Sequence, residues 1–149
     1  MTTPQTRSDA GLATALRISV SRLARRLRAE RVANGLQADL SDTQFAAMAT
    51  LVRHGPMTPG ELAEHEKVQP PSMTRVIAAL EERNLVVRAP HSTDRRQVVL
   101  TVTEGGQELV FRARRLREAW LAMRLRELSP QERAALRAAA PVLEKLRQS

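Results

Sequence analysis

The sequence predicts a mostly helical fold in which six helices accompany one two-stranded β hairpin. Three observations carry that expectation. Apolar residues recur at spacings of three and four along much of the chain, the period of amphipathic helices. Three Ser/Thr-x-x-Gln/Glu boxes mark helix starts, where each side chain can satisfy the other's backbone N–H. A single pair of β-branched runs flanks a polar loop, as a hairpin requires. The chain has 149 residues, 42% hydrophobic and 27% charged, which fits one globular unit of ordinary size.

The elements follow in order. Residues 1–8 are polar and are expected to form a disordered tail, with one folded unit over 9–149. Met1 to Ala10 has no apolar core of the kind a signal peptide carries. From Asp9 to Ala33, Leu12, Leu16, Val20, Leu23 and Leu27 form the stripe of a first helix. Ser41 with Gln44 caps a second, lined by Phe45, Met48, Ala49 and Val52 and stopped near Gly55-Pro56. Thr58, Pro59 and Glu61 start a short third helix, ending about His65. Pro70-Pro71 opens a fourth with Met73, Val76, Ile77 and Leu80 inward, and Asn84 suits a left-handed cap at its end. Leu85 to Ala89 and Val98 to Val102 are the two expected strands. A long fifth helix from about Glu104 to Leu128 carries Leu109, Ala113, Leu116, Trp120 and Met123 as an a/d seam. Ser129 and Glu132 cap the sixth, with Leu136, Ala140, Leu143 and Leu146 on one side. The seam and the first helix's stripe leave more apolar surface than a small winged domain covers. A homodimer burying upward of about 2,000 Å² is expected.

Charge narrows the function. Lys and Arg number 24 against 16 acidic residues, for a net charge of +8. Lys67 and Lys145 are the only lysines. The other basic residues are arginines, whose planar fork suits phosphate and guanine. A basic single domain points to a polyanionic partner, although an arginine-rich solvated surface gives the same total. Cysteine is absent, which excludes disulfides, thiolate metal sites and a cysteine nucleophile. No apolar run approaches the ~20 residues of a membrane span, so a cytoplasmic protein without a membrane partner is expected.

Catalysis is not expected. His54, His65 and His91 are dispersed, and Glu64-His65-Glu66 turns successive side chains about 100° apart, away from a shared metal. No nucleophile elbow, phosphate-binding glycine loop or dinucleotide fingerprint is present. Neither a catalytic site, a metal nor a cofactor is anticipated.

Thr58 to Arg83 has the layout of a helix-turn-helix, though its turn lacks the frequent glycine. With Val76, Ile77 and Leu80 inward, Ser72 and Arg75 fall on the outer face. Gln69, Pro70 and Pro71 occupy the N-terminal tip, the end that enters a major groove. Ser72 and Thr74 offer hydroxyls to phosphate, and Arg75 a fork to guanine or phosphate. Two antiparallel helices with a polar outside give the same pattern in many helical proteins. The hairpin directly after them tips the balance. Arg83, Arg88, Arg95 and Arg96 against Asp94 give Arg83 to Arg96 a net charge of +3. A basic hairpin suits a minor groove, and Asp94 is placed to pair with Arg96 and aim it. A helix-turn-helix followed by a basic hairpin is a winged helix.

The chain resembles the MarR family of winged helix-turn-helix regulators along nearly its whole length. The motifs are Leu40 to Phe45, Met57 to Ala63, Pro71 to Val76, Leu80 to Val86, Asp94 to Arg96, Leu100-Thr101 and Gly105. The resemblance implies a homodimer built by the first, fifth and sixth helices (9–35 and 104–149) around a DNA-binding region at 41–103. It implies two wings and two recognition helices on a pseudo-palindromic duplex, with Arg96, held by Asp94, in the minor groove. It also implies a repressor released by a small, often aromatic, anion. Phe45, Met48, Phe111 and Arg115 are the candidate residues for that ligand, and they read equally as core and surface. The DNA-binding candidates are Gln69, Pro70, Pro71, Ser72, Thr74, Arg75, Arg88, Asp94, Arg95 and Arg96. The chain departs from the family at Asn84, where glycine is usual, at Gln69, a weak cap, and in having no tyrosine. A ligand-independent or architectural DNA-binding protein is the alternative.

Overall fold

The computed structural model describes residues 8–33 and 40–148, Val32 by its backbone alone. The expected tail therefore lies outside the described residues except for Ser8, as do residues 34 and 35 of the first expected dimerisation segment. The elements are α1 (Asp9–Ala33), α2 (Asp42–His54), α3 (Pro59–Glu66), α4 (Pro70–Glu82), β1 (Val86–Pro90), β2 (Val98–Val102), α5 (Glu104–Arg126) and α6 (Pro130–Gln148).

All three capping boxes close. Ser41, Thr58 and Ser129 each accept the backbone N–H of the residue three on, and Gln44, Glu61 and Glu132 return the bond. The Ser129 backbone N–H holds the Glu132 carboxyl below the usual carboxylate value, because the bond favours the charged form. β1 and β2 pair antiparallel from Val86↔Val102 to Pro90↔Val98. β1 begins one residue later than expected because the Leu85 N–H closes the end of α4 on Leu80 O at 3.0 Å. Asn84 N–H also bonds Glu81 O, and Asn84 is left-handed at φ 57°. Together these bonds form a Schellman end in which asparagine does the work of glycine. Met57 adds a bridge to Leu100 on the other edge of β2, which the sequence pattern does not announce.

The residues form two compact units, one made of Arg31–Arg115 and the other of the segments up to Glu30 and from Leu116 onward. The boundary between them falls within α5. In the Arg31–Arg115 unit, Met48, Leu62, Met73, Ile77, Leu80, Val86 and Leu100 are fully buried. α2 packs on α3, α4 and β2, so Ala47 and Leu51 join Phe45 and Met48 inside while Ala49 and Val52 are half-buried. Arg31 is buried too. It pairs with Asp42 at 2.7 Å and lies 4.0 Å from the Phe45 ring centre. Thr103 joins the wing to α5, accepting from the Gly106 N–H and donating to Asn84 O. A Cβ on Gly106 would stand 2.4 Å from Leu85 O, so only glycine lets α5 start against the base of the wing.

In the other unit, Arg26 and Arg124 lie 5.2 and 5.6 Å from the Trp120 ring centre. α6 continues through Pro141 and buries none of its side chains. Leu12, Val20 and Leu23 of α1 and Leu136, Val142, Leu143 and Leu146 of α6 are exposed. The α5 seam is divided within the protomer. Ala113 is buried and Leu109, Leu116 and Trp120 half-buried, but Met123 is 56% exposed. Val110, outside the seam, is buried instead.

Candidate nucleic-acid interface

The turn between α3 and α4 needs no glycine because Lys67 takes the left-handed conformation at φ 53°. Lys67 N–H bonds Glu64 O and Val68 N–H bonds Ala63 O, a second Schellman end. The lysine bears a left-handed cost of about 1–2 kcal/mol, which the two backbone bonds and the burial of Leu62 and Ala63 offset. α4 then leaves at an angle set by that turn.

Met73, Val76, Ile77 and Leu80 hold α4 in the core, so rotation puts Ser72 and Arg75 outward, where both are exposed. Gln69 precedes the helix and makes no side-chain cap. A weak cap costs little here, since Pro70 and Pro71 have no N–H to satisfy. Gln69, Pro70 and Pro71 are exposed at the tip. Thr74 is exposed on the same helix and has a local partner. Its hydroxyl donates to Pro70 O at 3.0 Å.

The wing loop joins Pro90 to Val98. His91 N–H extends the ladder to Gln97 O at 3.1 Å. Gln97 N–H then bonds Asp94 O, and Arg96 N–H bonds Asp94 Oδ1, both at 3.0 Å. Asp94 is thus the first residue of a β-turn and closes it with its own carboxylate. Arg95 and Arg96 are the two central residues of that turn and are exposed. Asp94 therefore fixes Arg96 through the backbone, not through an ion pair with the guanidinium. Arg88 has a partner of its own, since its Nε donates to Glu81 on α4 and ties β1 to that helix.

The four ligand candidates divide. Phe45 and Met48 are core residues, 2% and 0% exposed. Phe111 and Arg115 line an open depression of about 350 Å³ on α5 with Glu104, Gln107 and Glu108. Two carboxylates beside one guanidinium make that lining a poor receptor for an anion. The structure also brings forward His91, whose ring organises the wing loop. In the sequence its only signal is its place three residues before an Asp-Arg-Arg turn. Among the described residues, no helix is long and apolar enough to cross a membrane.

Residues 40–98 match the family model described as MarR family. The chain is 49% identical over 136 residues to the HTH-type transcriptional regulator Mb0904 of Mycobacterium bovis, across 91% of this chain and 92% of that one. It is 28% identical over 91 residues to the HTH-type transcriptional repressor MdtR of Bacillus subtilis, across 61% and 59%. The crystal structure of RV1404 from Mycobacterium tuberculosis superposes with a TM-score of 0.84 at 27% identity, covering 97% of each chain.

Proposed function

The chain belongs to the MarR family of transcriptional regulators, and we propose on that footing that it acts as a homodimeric, sequence-specific repressor. The observation that carries this reading is the Asp94–Gln97 turn, which presents Arg95 and Arg96 at the end of a hairpin following an outward-facing α4. In the bound state α4 enters a major groove with Gln69, Pro70, Pro71 and Ser72 leading. Arg75 contacts a base or phosphate, Thr74 packs at the tip, and Arg96 enters the adjoining minor groove. Arg95 neutralises phosphate, and Arg88, already shared with Glu81, holds the strand to the helix.

Dimerisation falls to α1, α5 and α6 (9–35 and 104–149), and DNA binding to residues 41–103. The apolar side chains exposed on α1 and α6 support the first assignment. Repression follows from an operator that excludes polymerase when occupied, and the name of the MdtR relative favours that sign over activation. A DNA partner places the protein in the cytoplasm. Release by an aromatic anion rests on Phe111 and Arg115 alone. Glu104 and Glu108 in the same depression favour a second reading, a regulator that needs no ligand. No reaction is assigned to the chain.

Arg75 tests the recognition helix. Arg75→Ala should cost about 1–3 kcal/mol on a duplex selected from random sequence by the wild-type protein, and relax the preference at one position of each half-site. Competition titrations on the selected and a scrambled duplex measure it. Equal weakening on both makes Arg75 a phosphate contact, and no weakening on either removes α4 from the interface.

A further inference from the structure

The ring of His91 sits upstream of the turn that carries the wing arginines. Its Nδ1 is 3.2 Å from the Thr93 N–H and 3.1 Å from the Asp94 N–H, with the Thr93 hydroxyl at 3.3 Å. Backbone N–H groups only donate, so Nδ1 must be the lone-pair nitrogen and the proton must sit on Nε2. The Asp94 held in this way is the residue whose carbonyl and carboxylate close the turn around Arg95 and Arg96.

We propose that His91 is the positioning residue of the wing: its neutral Nδ1 gathers the Thr93 and Asp94 N–H groups, and protonation of the ring releases the loop. A proton on Nδ1 replaces the acceptor with a third donor facing two others, so the latched loop exists only with the neutral ring. Lowering pH therefore favours the unlatched loop. The charged groups on the loop and its strands are Arg88, Asp94, Arg95 and Arg96. Arg88 is bound to Glu81 of α4 and the Asp94 carboxylate to the Arg96 N–H. In this way the wing would lose its hold on DNA as the surroundings acidify, although the protein gains positive charge. The inference rests on the wing reading above, in which Arg96 contacts DNA.

The test uses the full chain and a duplex selected by the wild-type protein, at fixed salt. Titrations are made at about pH 8 and about pH 5.5, on either side of the range where histidine changes charge. Asparagine places an Oδ1 acceptor close to the Nδ1 position and does not titrate there. At the higher pH His91→Asn should bind as wild type does, and His91→Ala about tenfold more weakly, the size of one or two missing hydrogen bonds. At the lower pH the wild type should fall about fivefold behind His91→Asn if one such bond breaks. His54 and His65 are common to both proteins and cancel in that ratio. A nitrogen-15 spectrum of the free protein at the higher pH should show the His91 ring protonated at Nε2, independently of any DNA.

The outcomes separate the latch from the wing. If Arg96→Ala leaves affinity unchanged, the wing reading fails and the ring spectrum decides whether the latch stands. If Arg96→Ala weakens binding but His91→Ala does not, the latch is overturned. A ring protonated at Nδ1, or an asparagine variant as weak as the alanine one, also overturns it. A wild-type to His91→Asn ratio that ignores pH overturns the release on protonation.

Discussion

Substituting glutamate for Leu143 and Leu146 together is expected to convert the protein from dimer to monomer and cut its affinity for a two-half-site duplex about 100-fold or more. Both leucines are exposed on α6, a helix that buries none of its side chains within the protomer. A two-fold interface is the same patch on both subunits, so each glutamate meets an apolar surface and, near the axis, its own symmetry mate. Both effects oppose association. Losing the dimer removes one recognition helix and one wing from each binding event, and with them the effective concentration that joins two half-sites. Sedimentation at micromolar concentration and duplex titration measure the two consequences. Far-UV circular dichroism should keep its helical signal, since no buried side chain within the protomer is removed. A double variant that stays dimeric, or a wild-type chain that sediments as a monomer, contradicts the assignment of α6 to the interface.

The second large effect lies in the wing. Arg96→Ala should cost about 1–3 kcal/mol in binding. It should also flatten the log–log salt slope by about 0.9 for each phosphate that the guanidinium neutralises. Asp94 permits a finer distinction. A carboxylate near phosphates repels them, so Asp94→Ala should strengthen binding if Asp94 is only a charge. If its Oδ1 holds the Arg96 N–H at 3.0 Å to shape the turn, Asp94→Ala should weaken binding despite the added net positive charge. Asp94→Asn should then bind at least as tightly as wild type, because asparagine makes the same turn without the repulsion. In the Arg96→Ala background Asp94→Ala should become neutral or slightly favourable, the non-additivity of coupled neighbours. Titrations at three salt concentrations decide the matter. Additive substitutions would mean that the Asp94–Arg96 turn does not act as a unit on DNA.

Much of the fold was legible because its boundaries are set by local chemistry. The capping boxes at Ser41, Thr58 and Ser129 are pairs three residues apart, and each closes in the structure as its spacing requires. The inward face of α4 likewise follows from period alone. What escaped the sequence depends on packing across the fold. Gly105 belongs to the recognised motif, yet Gly106 is the glycine that packing demands, because only the approach of Leu85 O excludes a side chain there. Arg31 looks like one more surface arginine, and its pairing with Asp42 and its place over the Phe45 ring appear only once the chain is folded. Val110 lies outside the heptad seam yet is buried, since two spacings of four and three do not say which stripe of a long helix meets its own protomer. Around α4 and the wing, the hydrogen bonds of the candidate residues were not legible in the sequence. Asp94 turned out to grip a backbone N–H, Thr74 its own helix, and Arg88 a glutamate.

Two copies of the chain reading a two-fold symmetric duplex with paired helices and wings leave a symmetric footprint. A hydroxyl-radical footprint of the wild-type protein on a duplex it has selected from random sequence tests this most directly. A short protected pseudo-palindrome is expected, with half-sites about one helical turn (~10 bp) apart, flanked on each side by a protected minor-groove segment. Arg96→Ala should restore cleavage in the flanking segments and leave the half-site centres protected. Protection that spreads along the duplex without symmetry, or a footprint whose flanks are indifferent to Arg96, would rule out paired wings on a two-fold site.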